Sequence, residues 1–153
     1  MTHIERDMEI HCAPEHLFSL LVDYQRTPEW ISAVQGMDKL SDGPVGIGTR
    51  FSQRLRVVGR TFDGEWHVTE YDAPRCFAMQ GEAPGGVRAT FTHVIEAVIG
   101  GCRDRFSMDY DLPSGMPGRL TDRACAERRN ERELQTALEN LKDILESGAG
   151  GAS

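Results

Sequence analysis

Histidine and cysteine are the residues of this 153-residue chain best equipped for chemistry, and their spacing decides which chemistry is open to them. A metal site needs two or three imidazoles converging with carboxylates or thiolates. His3, His11, His16, His67 and His93 form no H-x-x-x-H pair, and His3, His11 and His67 fall on strand faces expected to be wet. No metal is expected. Cys12, Cys76, Cys102 and Cys125 are far apart and form no CxxC pair. That argues against a zinc knuckle or a disulfide framework, and for free thiols, buried or half-buried, in a reducing cytoplasm.

Nucleophile and nucleotide motifs are thin. There is no G-x-S-x-G elbow, and Ser52 and Ser107 alternate with apolar residues, so both are expected to face outward. Gly46-Ile47-Gly48 lacks the third glycine and the following helix that present N–H groups to a phosphate. The run Thr49-Arg50-Phe51-Ser52-Gln53 after it reads as a strand. No cofactor is expected. His93 stands apart, because it shares parity with Phe91 and Ile95 and so reads as a polar group on an inner face. Two readings fit it: a core histidine with one satisfied hydrogen bond, or a general base.

The elements that must position these residues follow from hydrophobic period. Residues 2–12 alternate, with Ile4, Met8 and Ile10 on one face and Glu5, Asp7 and Glu9 on the other, which marks a strand. Arg6 shares the inner parity and is expected at a cavity mouth. Ala13-Pro14-Glu15 opens a short helix, and Thr27-Pro28-Glu29-Trp30 opens a second with Thr27 as its cap. Segments 34–41, 48–58, 60–71, 75–81, 87–99 and 102–112 read as strands of a meander. Turn chemistry separates them, at Ser41-Asp42-Gly43-Pro44, Val58-Gly59, Asp72-Ala73-Pro74, Ala83-Pro84-Gly85-Gly86 and Gly100-Gly101. After Pro113–Gly118 comes a helix over 119–146. Its second half carries Leu134, Ala137, Leu138, Leu141, Ile144 and Leu145 at helical spacing, whereas its first half is mostly Arg and Glu. The second half should anchor, and the first half, Leu120 included, should cover something wetter than a core.

A bent sheet with one apolar face needs a cover, and one long helix cannot fill its concave side, so a cavity is the expected by-product. Strand parity nominates the lining. Phe51, Gln53, Leu55 and Val57 share a face, as do Phe62, Gly64, Trp66 and Val68 on the next strand. Phe91, His93 and Ile95 share one further on, and Phe106, Met108 and Tyr110 one on the last strand. Apolar walls with sparse polar handles suit a flat aromatic or lipid-like ligand, and the same side chains could equally pack a core. His93 and Tyr110 are the weak catalytic candidates. Arg54 and Arg56 have the wrong parity to join them, and no second acid or base is placed beside His93 by the sequence.

Composition bounds the partners. Charged residues are 27% of the chain, the net charge is −7, and no basic run exists, which disfavours nucleic acid and anionic membrane. No apolar run approaches a membrane span, and the start lacks a signal peptide's apolar core, so a cytoplasmic protein is expected. The sequence allows a homodimer.

Ala13-Pro14-x-x-Leu17-Phe18, then Asp23-Tyr24 and Thr27-Pro28-Glu29-Trp30-Ile31, resembles the opening of the START/polyketide cyclase–dehydrase superfamily (SRPBCC), whose members include the birch-pollen-allergen relatives. Gly46–Phe51, Val68–Arg75 and Leu141-Lys142 with Leu145-Glu146 fit the same superfamily in order. The resemblance covers 2–146. It implies an α+β helix-grip fold: a curved antiparallel sheet of about seven strands around a long C-terminal helix, with two short helices after the first strand. It makes 1–146 a single domain and 147–153 a flexible Gly/Ala/Ser tail. Superfamily members bind lipids, sterols, hydroxylated aromatics or quinones, some act as aromatase/cyclases, and others bind proteins. The expectation is therefore a binder of a hydrophobic small molecule, with a polyketide cyclase or dehydrase, or a ligand-free interaction module, as the alternatives.

Overall fold

Alternation at period two produces a single meandering sheet. The computed structural model describes residues 2–57, 59–83, 87–111 and 120–147. Its strands are β1 (Thr2–Ile10), β2 (Val34–Lys39), β3 (Arg50–Val57), β4 (Arg60–Asp72), β5 (Cys76–Ala83), β6 (Val87–Val98) and β7 (Gly101–Asp111). They form one seven-stranded sheet in the order β1-β7-β6-β5-β4-β3-β2, antiparallel throughout. Register shifts at Val34/Gly36 and Val68/Glu70 add twist and bend the sheet. Residues 1, 58, 84–86, 112–119 and 148–153, on which parts of the expected turns, connection and tail fall, lie outside the described residues.

Between β1 and β2 run α1 (Pro14–Val22), a 3-10 turn (Tyr24–Arg26) and α2 (Thr27–Trp30). Thr27 lies inside α2 and is buried, with Arg26 before it, so it is not the expected side-chain cap. Some expected strand ends move inward. Cys12 N–H turns back on the Ile10 carbonyl at 2.9 Å, which stops β1 at Ile10. Thr49 N–H donates to the Gly46 carbonyl at 3.1 Å, a turn that delays β3 to Arg50, and no helix follows Gly48.

One hairpin differs from expectation in a way that matters. The β6–β7 turn is Ile99-Gly100, with Gly100 at φ 86°, and Val98 pairs with Gly101. Gly101 belongs to β7 because the Ile10 carbonyl of neighbouring β1 occupies the space a Cβ would need. A Gly100-Gly101 turn would have placed His93 opposite Met108. The observed turn places it opposite Phe106.

The long helix α3 (Leu120–Glu146) crosses the concave face. Leu134, Ala137, Leu138, Leu141 and Leu145 are all buried, whereas Glu127, Arg128, Arg129, Arg132 and Glu133 are exposed. The apolar second half therefore anchors, as its periodicity predicts; the Leu120 side chain lies outside the described residues. Polar ties fix the helix against its neighbours. Arg6 donates to Glu131 at 2.6 Å, Lys142 to the Glu9 carbonyl at 3.1 Å, and Asn140 to the Trp30 carbonyl at 3.2 Å. No helix among the described residues is long and apolar enough to cross a membrane.

Two measurements check this anchoring. Leu138 is fully buried, so Leu138→Ala should cost about 2–5 kcal/mol in denaturant melts, the range for a truncated core leucine. A loss near zero would mean that α3 does not seal the core. The second concerns Glu146, which accepts the His11 N–H and the Lys142 ammonium, each at 2.7 Å. These donors, the His11 N–H first, hold its carboxyl below the usual carboxylate range. A depressed carboxyl stabilises the fold above its unfolded value, and that contribution is lost as pH falls through the lower folded value. Glu146→Gln should thus lower stability at neutral pH by less than about 1 kcal/mol, since the site is exposed, and flatten the acid limb of the melt.

Candidate functional site

Strand parity carries a set of large side chains onto the concave face, and α3 covers only part of them. A cavity of about 530 Å³ remains between the sheet, α2 and α3. Ten of the residues nominated from parity line it: Phe51, Gln53 and Leu55 from β3, Phe62 and Trp66 from β4, Phe91 and His93 from β6, and Phe106, Met108 and Tyr110 from β7. Gly64, Val68 and Ile95, nominated on the same faces, do not line it, and the Val57 side chain lies outside the described residues. The helical elements add Trp30, Ala126, Arg129, Asn130 and Glu133, and β5 adds Phe77 and Met79.

The aromatic wall is continuous because one position is glycine. Trp66 is the register partner of Gly81 on β5. A Cβ at Gly81 would overlap Cδ2 and Cε3 of the indole. The ring therefore lies over β5 and reaches Phe91 on β6, at 5.4 Å between centroids. From Phe91 the contacts run to Phe106 at 5.8 Å, and from Phe106 to His93, stacked at 4.0 Å and 13°. Trp30 closes the series edge-on to His93 at 5.7 Å.

His93 is the chemical centre of this wall. Its Nδ1 lies 2.9 Å from Oδ2 of Asp104, and both side chains are buried, Asp104 completely. A carboxylate can only accept, so Nδ1–H is the donor. In the neutral ring this leaves the Nε2 lone pair available, and Nε2 has no hydrogen-bond partner among the described residues. The other carboxylate oxygen, Oδ1, is buried and has no hydrogen-bond partner among the described residues, as is true of the indole nitrogens of Trp30 and Trp66. Leaving such an acceptor unsatisfied costs about 1–3 kcal/mol, and more for a charged group. Gln53 and Tyr110 supply further polar atoms on the cavity wall; both are buried.

Asp104 is what sequence reasoning missed. The signal was its parity with Phe106, Met108 and Tyr110, an acid among inward-facing residues of one strand. Its place beside His93 follows from register, since Asp104 pairs with Ile95, diagonal to His93. Other expectations need correction as well. Arg6 is paired with Glu131 and does not line the cavity, because β1 lies under α3 where the helix is tied down. Arg56, on the outward parity at the end of β3, does border it. Ser107 lies on the outward parity yet is largely buried. Cys12 and Cys102, distant in sequence, meet where β1 ends beside β7. The Cys102 thiol and then the Leu17 N–H favour the Cys12 thiolate, lowering its pKa.

A curved sheet gripping a long helix over a cavity defines the helix-grip class. The sequence model of the family described as polyketide cyclase/dehydrase and lipid transport matches residues 1–146, and the chain belongs to that family. No curated protein matches the chain in sequence. Solved structures agree in fold. The Zhui aromatase/cyclase from Streptomyces sp. R1128 is similar at TM-score 0.78 and 13% identity, covering 99% of this chain and 98% of its own. TTHA0849 from Thermus thermophilus is similar at 0.77 and 17%, covering 97% and 99%. A START superfamily protein from Mycobacterium smegmatis is similar at 0.73 and 14%, covering 94% and 98%.

The indole geometry gives a direct optical test. In a Trp30→Phe background, Trp66 should emit at short wavelength, as a buried ring does. Adding Gly81→Ala should push the ring toward the cavity, red-shift its emission and cost about 1–3 kcal/mol, the usual penalty of overpacking. Water-like emission from the Trp30→Phe variant alone would place Trp66 outside the wall described.

Proposed function

We propose that this protein binds a mainly apolar small molecule, aromatic polyketide-, lipid- or quinone-like, in the cavity between the sheet and α3. The observation that carries the reading is the cavity itself: about 530 Å³, walled by aromatic rings, with a few convergent polar groups. That size falls within the usual range for small-molecule pockets, and a stacked aromatic wall favours a flat ligand. A ligand-free interaction module would instead fill its concave face with its own side chains. Gln53, His93 Nε2 and Tyr110 are the groups that would orient the ligand. The proposed role is that of a cytoplasmic carrier.

A second reading, a polyketide cyclase or dehydrase, is favoured by one observation, the buried His93–Asp104 pair. Asp104 would hold the imidazole ring in one tautomer and steady the imidazolium formed when Nε2 takes a proton from carbon beside a ligand carbonyl. The same carboxylate is also compatible with a ring fixed only to accept a hydrogen bond.

His93→Phe and Asp104→Asn separate the two readings. For a carrier, His93→Phe should weaken binding of a hydroxylated anthraquinone by roughly tenfold or less, the worth of one hydrogen bond. For an enzyme, turnover of an aromatic polyketide mimic should fall about 10²-fold or more in His93→Phe while its affinity holds. Asp104→Asn should then also shift the pH profile of that turnover. If neither compound binds the unmodified protein, the ligand-binding reading fails.

A further inference from the structure

The mouth of the cavity carries charge that its interior does not explain. Arg56 and Arg129 both border the cavity, and both are exposed, so they sit at its rim. Topology brings them to one end of the molecule. Arg56 is the penultimate residue of β3, which runs toward the same end of the sheet as β7, and α3 sets out from beyond the end of β7.

Pairing and position together set these two residues apart. Arg6, Arg26, Arg50, Arg54, Arg75, Arg103 and Arg105 each lie within 4.0 Å of a carboxylate. Arg56 and Arg129 have no such partner among the described residues. Arg60, Arg88, Arg128 and Arg132 share that condition, but none of them lines the cavity. Glu133 shares the rim, one turn along α3 from Arg129, without pairing to it, and Asn130 adds an amide. Among the described residues the rim therefore carries two cations and one anion, on a chain whose net charge is −7. A carboxylate-rich protein has many acids with which to neutralise two arginines, and at this opening none of the described ones reaches them.

We propose that the ligand is an amphiphile whose apolar body fills the cavity and whose single anionic end, a carboxylate or a phosphate, lies at the mouth between Arg56 and Arg129. This rests on the binding reading above and narrows its ligand class. The planar guanidinium fork suits either oxyanion in a bidentate fashion, and among the described residues no other Arg or Lys lines the cavity to compete for it. Because the rim is wet, the attraction falls with added salt, while burial of the apolar body does not.

Decanoate, decyl phosphate and decanol share one apolar chain and differ in the end group. Calorimetric titration at low salt should show at least one anion binding about tenfold tighter than decanol, the scale of a charge-assisted contact discounted for exposure. The tighter of the two anions identifies the end group. The double variant Arg56→Gln/Arg129→Gln should erase that preference and leave decanol affinity unchanged, which also reports that the variant is folded. Equal binding of the anions and the alcohol, or a preference that survives the double variant, would overturn the anionic-end proposal and leave the cavity reading standing. Failure of all three to bind a protein that takes up the hydroxylated anthraquinone would overturn the anionic-end proposal alone; failure of the anthraquinone and the polyketide mimic as well would overturn both.

Discussion

The structure depends on a mismatch between one helix and the sheet it covers. The sheet offers a long concave apolar face, and the buried apolar side chains that α3 sets against it, among the described residues, run from Leu134 to Leu145. Hydrophobic burial therefore locks the C-terminal half of the helix against β1 and α1. The preceding half, rich in Arg and Glu, has no apolar stripe with which to close the remaining concavity. Interiors normally pack to near-crystalline density. Here the space is kept open by large rings that lean on each other instead of filling it, with Trp66 lying flat over Gly81 as the clearest case.

Within that wall the protein tolerates an expensive arrangement. His93 and Asp104 are buried together beside aromatic rings, and one oxygen of the carboxylate lacks a partner among the described residues. Replacing such a pair by apolar residues of similar volume is often neutral or stabilising. Its presence at the edge of a cavity, with Nε2 left over, is the feature that stability alone does not account for. It gives an apolar pocket one oriented polar atom. That atom can fix a ligand's position or move a proton, and the difference between these roles lies in the ligand's chemistry as much as in the protein's.

Much of the fold was legible in the sequence, because period-two alternation and turn residues are local signals. The inward faces of β3, β4, β6 and β7 followed directly, and with them ten of the side chains that line the cavity. The pairing of His93 with Asp104 did not follow, for a specific reason. It depends on β6–β7 register, and register depends on which two residues make the turn. Gly100-Gly101 has stronger turn chemistry than Ile99-Gly100, but the second glycine is needed in β7 for close approach of the Ile10 carbonyl. A constraint from a third strand thus decides a two-strand register. The meeting of Cys12 with Cys102, and the pairing of Arg6 with Glu131, are likewise long-range outcomes that spacing along the chain does not encode.

The central claim is that the space between α3 and the sheet is a binding cavity and not a packing defect. Native mass spectrometry of the protein as purified tests it most directly. The account predicts a population heavier than the bare chain by one small organic molecule, lost on gentle activation and restored by adding an apolar ligand. A single species at the mass of the bare chain, unchanged by such additions, would contradict it.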